Sequence, residues 1–186
     1  MPGFMPIGQD SLINAVAPGK ETVEFDFIPC IMALNTQKME DRDWVIDTLD
    51  LKYGEPFIGL VNAYKRAIGE EPLNREDIES LFRAVRDEHI QFFTAMEGET
   101  LAGMCSLCRT FSTFHCAFGG IFEDFYVEPA FRGKGVARKL VSAVINECKR
   151  TGITSLWVGC ADADVQMYKS LGFEIPLGNL LAWADA

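Results

Sequence analysis

The sequence predicts a single α+β (mixed α/β) domain, and three observations support this class. The 186 residues fit one globular domain. Their content of 48% hydrophobic and 24% charged residues is typical of a chain that builds a core. Segments with apolar residues at helical spacing are mixed with β-rich segments, two of which form a predicted hairpin.

The first half of the chain begins with an irregular segment, which is followed by one predicted strand and three predicted helical stretches. Prolines and glycines interrupt residues 1–22, which we interpret as an N-terminal arm. The predicted elements that follow are a strand at 23–34, an acidic helical stretch at 41–49, a helix at 56–68 and a helix after Asn74. Asn74 precedes Asp77 by three residues, which is the spacing of a capping box.

After this helix the apolar pattern changes to that of strands. Residues 90–96 and 101–110 form a predicted hairpin with a turn at residues 97–99. The remaining predicted elements are a loop at 111–119, a strand at 120–127, a helix at 135–150, a strand at 155–160, a helix at 164–171 and a strand at 180–183. The helix at 135–150 has the clearest pattern, because two rows of apolar residues recur at spacing four.

The charge of the chain narrows the classes of partner. Seventeen Lys and Arg against 27 Asp and Glu give a net charge of −10, which disfavours nucleic acid and anionic membrane surfaces. No apolar run reaches the roughly 18 residues that a membrane span needs, and the N-terminus lacks the pattern of a signal peptide. We therefore expect a cytoplasmic protein without nucleic-acid or membrane partners.

The six cysteines predict reduced thiols in a protein without a metal site. Cys105 and Cys108 have the spacing of a zinc knuckle, which needs a turn between its ligands. Both fall inside a predicted strand, where residues three apart point to opposite faces. This placement argues against a shared metal ion.

A glycine-rich turn within residues 127–137 carries the strongest chemical signal. A strand ends there, Pro129 follows, and Gly133 and Gly135 precede a helix. The first turn of a helix offers amides without intrahelical partners, and glycines let that backbone approach an anion. Residues 128–150 hold six Lys and Arg and two Glu, a local charge of +4. The turn is either a pyrophosphate cradle or a solvated basic turn; it matches neither a Walker loop nor a dinucleotide fingerprint.

Three blocks in this order resemble the GNAT superfamily of acyl-CoA-dependent N-acetyltransferases. They are Phe122–Pro129, similar to the family's central strand; Arg132–Ala137, which fits its Arg/Gln-x-x-Gly-x-Gly/Ala signature; and Met167–Phe173, similar to its Tyr-x-x-x-Gly-Phe element. The resemblance covers residues 23–186. It implies a central mixed, mostly antiparallel sheet with splayed central strands and helices on both faces, and acetyl-CoA as the acetyl donor.

The resemblance also implies roles for individual residues. The backbone amides expected to hold the coenzyme A pyrophosphate are those of Arg132, Gly133, Lys134, Gly135, Val136 and Ala137. Main-chain groups of Phe125, Tyr126 and Val127 are expected to pair with the pantetheine arm, at a bulge in the strand. Tyr168 is expected beside the sulfur as the acid that protonates the thiolate; the alternative is a core aromatic that packs on the sheet. The ordinary pKa of a tyrosine, about 10, lies above that of a thiol, about 8.5, so this proton transfer is downhill.

The base that removes a proton from the acceptor ammonium is expected to be Glu123 or Asp124, acting directly or through water. Strand alternation predicts that these two carboxylates point to opposite faces. Glu123 matches the position often proposed as the base in the family, and we favour it. The alternative is that either carboxylate orients backbone or forms an ion pair.

A narrower resemblance concerns the acceptor. Residues 111–114 and 122–127 are similar to the diamine, polyamine and thialysine acetyltransferase branch, which acetylates small cationic amines. This implies direct attack by a small primary amine in a ternary complex, with Asp124 and Asp43 facing the acceptor. The alternatives are a peptide N-terminus as acceptor and a non-catalytic acyl-CoA-binding module, since residues 160–164 lack the Asn common in relatives. Dimers are common in the family, so a homodimer is a further expectation.

Overall fold

The computed structural model describes residues 44–50 and 53–178. In chain order the elements are β1 (Val45–Thr48), α1 (Gly54–Ala67), α2 (Arg75–Arg86), β2 (Ile90–Glu97), β3 (Thr100–Ser112), β4 (Ala117–Val127), α3 (Val136–Thr151), β5 (Ser155–Trp157) and α4 (Val165–Ser170). The expected arm at 1–22, the domain start at residue 23, the strands at 23–34 and 180–183, and Asp43 lie outside the described residues.

The five strands form one sheet in the order β1-β2-β3-β4-β5. Successive strands are antiparallel except β4 and β5, which run parallel. That parallel pairing covers only Gly119–Ile121 against Ser155–Trp157, although β4 continues to Val127. The predicted mixed, mostly antiparallel sheet is confirmed, and its splay lies between β4 and β5.

Helices cover both faces of the sheet, as predicted. On one face α3 buries Leu140 and Val144 in a cluster that includes Phe122 of β4. On the other face α1 buries Phe57, whose ring lies 4.9 Å from that of Phe92 on β2. Burial of these apolar side chains fixes the two helical layers against the sheet.

The helix ends follow the sequence signals. The Asn74 side chain accepts from the Asp77 amide at 2.9 Å, and the Asp77 carboxylate accepts from the Asn74 amide at 3.0 Å, so the predicted capping box is confirmed. Helix α3 begins after Gly135 and ends before Gly152, and both glycines have positive φ. Among the described helices, none combines the length and apolar character that a bilayer span needs.

Two predicted elements are wrong. The acidic stretch at 41–49 is not helical where it is described: β1 pairs with β2, and β-branched residues such as Val45 and Ile46 favour this strand. The predicted loop at 111–119 shortens to residues 113–116, since β3 and β4 extend on either side. A cross-strand contact between the rings of Phe111 and Phe118, 5.2 Å apart, supports the longer hairpin.

Candidate active site

Strand β4 contains a bulge at Asp124. Its pairing with β3 shifts, so that Met104 lies opposite Tyr126 whereas Ser106 lies opposite Glu123. One residue of β3 therefore faces two residues of β4. Asp124 has a φ of 50°, in the left-handed region that Asp tolerates better than most residues. A bulge of this kind redirects side chains along the strand.

The bulge lies on the half of β4 that has one unpaired edge. β5 pairs with Gly119–Ile121, and no strand within the described residues follows that edge along Phe122–Val127. An open edge offers backbone groups to an extended ligand. Phe125, Tyr126 and Val127, the residues expected to bind pantetheine, lie on this half of the strand.

The turn between β4 and α3 is tied down at both ends. Arg132 Nε donates to the Val127 carbonyl at 2.9 Å, and the Trp44 indole donates to the Lys134 carbonyl at 2.9 Å. Gly133 and Gly135 have φ of 72° and 85°, a conformation in which glycine avoids the strain of a Cβ. Glycines at these two positions therefore allow the tight turn that the sequence predicts.

Helix α3 presents its N-terminal amides at this turn. The Lys139 amide donates to the Gly135 carbonyl at 3.2 Å. The amides of the first turn precede it and have no intrahelical carbonyl to bind, and the helix dipole adds partial positive charge there. Residues 132–137 thus form one continuous turn at a helix N-terminus, which suits an anion.

Tyr168 of α4 lies beside the bulge on the face covered by α3. Its ring centroid is 6.1 Å from that of Phe125 and 5.9 Å from that of Phe173. The Phe173 amide donates to the Tyr168 carbonyl at 3.1 Å and closes the end of α4. The structure therefore brings Tyr168 next to the open half of β4.

Glu123 and Asp124 lie on the same face of the sheet, so the predicted opposite orientation is wrong. Cys108 Sγ lies 3.7 Å from Glu123 Oε2, and Ser106 Oγ donates to the Asp124 carboxylate at 2.8 Å. Ser106 and Cys108 are two residues apart on β3 and therefore share a face. The bulge is the physical reason, since the left-handed residue interrupts the alternation of β4.

Electrostatics on this face disfavour additional negative charge. Burial raises the pKa of Asp124, and the hydrogen bond from Ser106 offsets part of that rise. Burial raises the pKa of Tyr64 to about 12, with the charges of Asp124 and Glu123 adding to it. Burial and the same two carboxylates raise the pKa of Cys108 to about 11. A cation is the ligand that such a site favours.

A cavity of about 310 Å³ lies between α1, α2 and this face of the sheet. Most of its lining is apolar and includes Leu73, Leu81, Ile90 and Met104, while Tyr64, Lys65 and Asp124 are its polar members. The cavity and the open half of β4 therefore meet at Asp124. A depression of about 370 Å³ at the turn between β2 and β3 has neither Asp124 nor Tyr168 in its lining.

The two cysteines with zinc-knuckle spacing lie on opposite faces, as predicted. Cys105 is fully buried in the cluster under α3, whereas Cys108 lies near Glu123 on the other face. Within residues 44–50 and 53–178, no group of three or more His, Cys, Asp or Glu is arranged to hold a metal ion.

Sequence reasoning missed Ser106 and Tyr64. Ser106 is a fully buried polar residue in an otherwise apolar run of β3, and that isolated polar position was a readable signal. Tyr64 lies on α1 with its ring 6.0 Å from that of Tyr126. Nothing in the sequence indicates that contact, because it depends on how α1 crosses the sheet.

Sequence comparison identifies N-acetyltransferases similar to this chain. Over 92 residues the chain is 30% identical to an uncharacterized N-acetyltransferase of Methanocaldococcus jannaschii, covering 48% of this chain and 41% of the relative. Over 50 residues it is 38% identical to a ribosomal protein bS18 alanine N-acetyltransferase of Haemophilus ducreyi, covering 25% of this chain and 34% of the relative. The matched segments thus span less than half of either relative.

A solved structure and a family profile complete the comparison. A predicted acetyltransferase of Clostridium acetobutylicum, solved with acetyl-CoA, matches with a TM-score of 0.63 and 18% identity over 75% of this chain and 95% of its own. At that identity the likeness shows the fold alone. The profile of the acetyltransferase (GNAT) family matches residues 54–173, which is more than half of the chain. The chain therefore belongs to the acetyltransferase (GNAT) family.

Proposed function

We propose that this protein transfers the acetyl group of acetyl-CoA to a primary amine by direct attack in a ternary complex. The bulge of β4 carries the proposal, because it brings Glu123 and Asp124 to one face of an open strand edge while Phe125 lies on the other face. Asp124 lines the cavity under α1 and α2, and Phe125 contacts Tyr168 on the other face. A thioester laid along this edge would stand between an amine-binding cavity and an acid.

The donor is held by backbone groups. The amides of residues 132–137 would bind the pyrophosphate of coenzyme A, and the open edge at Phe125–Val127 would pair with pantetheine as an added strand. Arg132 is already bound to the Val127 carbonyl and lies over the Tyr126 ring. The turn at residues 132–137 is therefore linked to the open edge of β4 before the donor binds.

Tyr168 is the proposed acid. After the amine nitrogen attacks the thioester carbonyl, the carbon–sulfur bond breaks and the thiolate takes the hydroxyl proton of Tyr168. The tyrosinate then takes a proton from the nitrogen of the new amide. This is the second proton that the nitrogen loses, the first having left before the attack. The balanced reaction converts ammonium and thioester into amide, thiol and one proton.

The carboxylate pair is proposed to supply the base. An ammonium with an ordinary pKa of about 10.4 is almost fully protonated at neutral pH, so it must lose a proton before attack. The geometry favours Asp124 over Glu123 for that step, because Asp124 lines the cavity while Glu123 is exposed. Burial raises the pKa of Asp124, which strengthens it as a base. Glu123 would then pass the proton to solvent.

A small cationic amine is the proposed acceptor. The two carboxylates on one face supply the negative charge that an ammonium needs, and they are the residues that resemble the diamine and polyamine branch. A peptide N-terminus is the second candidate, since the Haemophilus ducreyi relative is an alanine N-acetyltransferase of a ribosomal protein.

Turnover tests the proposal. Release of free coenzyme A from acetyl-CoA should depend on an added amine, amino acid or peptide. Tyr168→Phe should lower kcat by about 100-fold while the Kd for coenzyme A stays within about twofold, because one proton transfer is lost and no binding contact. Tyr53→Phe, which removes a tyrosine hydroxyl at the start of α1, is the matched control. Tight coenzyme binding without turnover on any acceptor would contradict the proposal.

A further inference from the structure

The acceptor cavity has one negative end and a mainly apolar body. Asp124 is the one acidic side chain among its described lining residues. Leu73, Leu81 and Ile90 belong to its apolar part, contributed by the segment before α2, by α2 and by β2. A ligand that fills it therefore needs a single cation and an apolar remainder.

The positive group in the lining points the same way. Lys65 lines the cavity, with its Nζ 3.9 Å from the Glu70 carboxylate. Glu70 is already paired with Lys65, and the described lining has no carboxylate besides Asp124, so a second ammonium on the same ligand would be buried without a partner. Burying an unpaired charge weakens binding.

From these contacts we propose that the acceptor is a monoamine with an apolar body, and that diamines and polyamines are poor substrates. This inference rests on the proposed function, and it narrows the cationic acceptors named there. A cavity of about 310 Å³ has room for such an amine with its ammonium at Asp124.

Two ligand series of equal chain length test the proposal. The first contains propylamine, butylamine and pentylamine, and the second the corresponding α,ω-diamines. Each added methylene of the monoamine should raise kcat/KM about threefold to fourfold until the cavity is full. At each chain length the diamine should be at least about tenfold poorer. Diamines that equal or exceed the monoamines would overturn the proposal.

A pair of variants at Leu81 adds a charge in one case and a neutral side chain of nearly the same size in the other. Leu81→Glu places a second carboxylate in the lining, and Leu81→Gln is its neutral control. The ratio of diamine to monoamine kcat/KM should rise about tenfold in Leu81→Glu relative to Leu81→Gln. An unchanged ratio in two folded variants would contradict the assignment of this cavity to the acceptor.

Binding separates this proposal from the proposed function. With coenzyme A present, the change in melting temperature on adding each amine reports binding without chemistry. Monoamine binding without acetylation would support the acceptor class and contradict the transferase. Acetylation that prefers diamines would support the transferase and overturn the acceptor class. Neither binding nor acetylation of any amine would overturn both.

Discussion

The two halves of β4 have different roles: one half holds the sheet together, and the other lies at the candidate active site. In the half at Ala117–Ile121, β3 pairs along one edge and β5 pairs with Gly119–Ile121 along the other. Among the strands that the structure describes, the half at Phe122–Val127 pairs with β3 alone, and it contains the bulge at Asp124. One strand therefore both anchors the sheet and presents a binding edge, and the change occurs between Ile121 and Phe122.

The packing of the paired half explains why it has no room for a ligand. A Cβ on Gly120 would lie 2.6 Å from Leu107 Cδ1 and 3.1 Å from Leu156 Cδ1. Those side chains close the space between β4 and its two neighbours. The open half instead carries exposed Glu123, half-buried Phe125 and the cavity beside Asp124.

The largest effect is expected in the open half. Asp124→Asn keeps the acceptor for Ser106 and tolerates the left-handed backbone, but it cannot take a proton. We expect kcat/KM to fall about 100-fold at pH 7. The deficit should shrink as pH rises towards the pKa of the free amine, because the amine then loses its proton unaided. Glu123→Gln is the matched control, and a larger deficit there would move the base to Glu123.

Stability should separate lost chemistry from lost folding in Asp124→Asn. Because the pKa of Asp124 is raised in the folded state, this carboxyl contributes most to stability below its ordinary pKa of 3.8 and loses that contribution as pH rises through the folded value. The Asn variant should therefore melt at or above the wild-type temperature at pH 7. The two melting temperatures should converge below about pH 4.

The paired half should show the opposite behaviour. Gly120→Ala forces Leu107 or Leu156 to move, so the free energy of unfolding should fall by about 1–3 kcal/mol. Well below the melting temperature, kcat/KM should stay close to wild type, since the open edge is unchanged. Gly59→Ala on α1, where a Cβ meets no atom within 4 Å, is the control and should be neutral or stabilising. A loss of activity in folded Gly120→Ala would contradict the assignment of separate roles to the two halves of β4.

The sequence was a good guide where the local signal and the tertiary structure agree. The capping box at Asn74, the helix beginning at Gly135 and the hairpin of β2 and β3 follow from residue type and spacing. β1 was misassigned because spaced acidic residues resemble a helical face, whereas its pairing with β2 is a long-range contact. Local patterns do not contain such contacts.

The sequence names the motif residues of the candidate site but does not give the orientation of their side chains. The structure places those residues at one strand edge and one helix N-terminus, and their roles there stay predictions. The shared face of Glu123 and Asp124 was not predictable, because one left-handed residue reverses a rule that holds for regular strands. The apolar character of the cavity likewise depends on α1 and α2, whose side chains carry no chemical motif.

The smallest expected effect is a difference between variants at the two ends of α3. It tests whether the turn that follows β4 acts together with the open half of that strand. Gly135 and Gly152 both have left-handed φ, 85° and 74°, at opposite ends of the helix. Alanine at either position should destabilise the fold by about 1–2 kcal/mol through similar backbone strain. Only Gly135→Ala should also weaken coenzyme A binding, by about tenfold in Kd (about 1.4 kcal/mol), because it alters the amide turn beyond the open edge. Isothermal titration of both variants with coenzyme A measures the difference. Equal affinities would mean that the pyrophosphate does not bind at this turn, and the open half of β4 would then lose its assigned ligand.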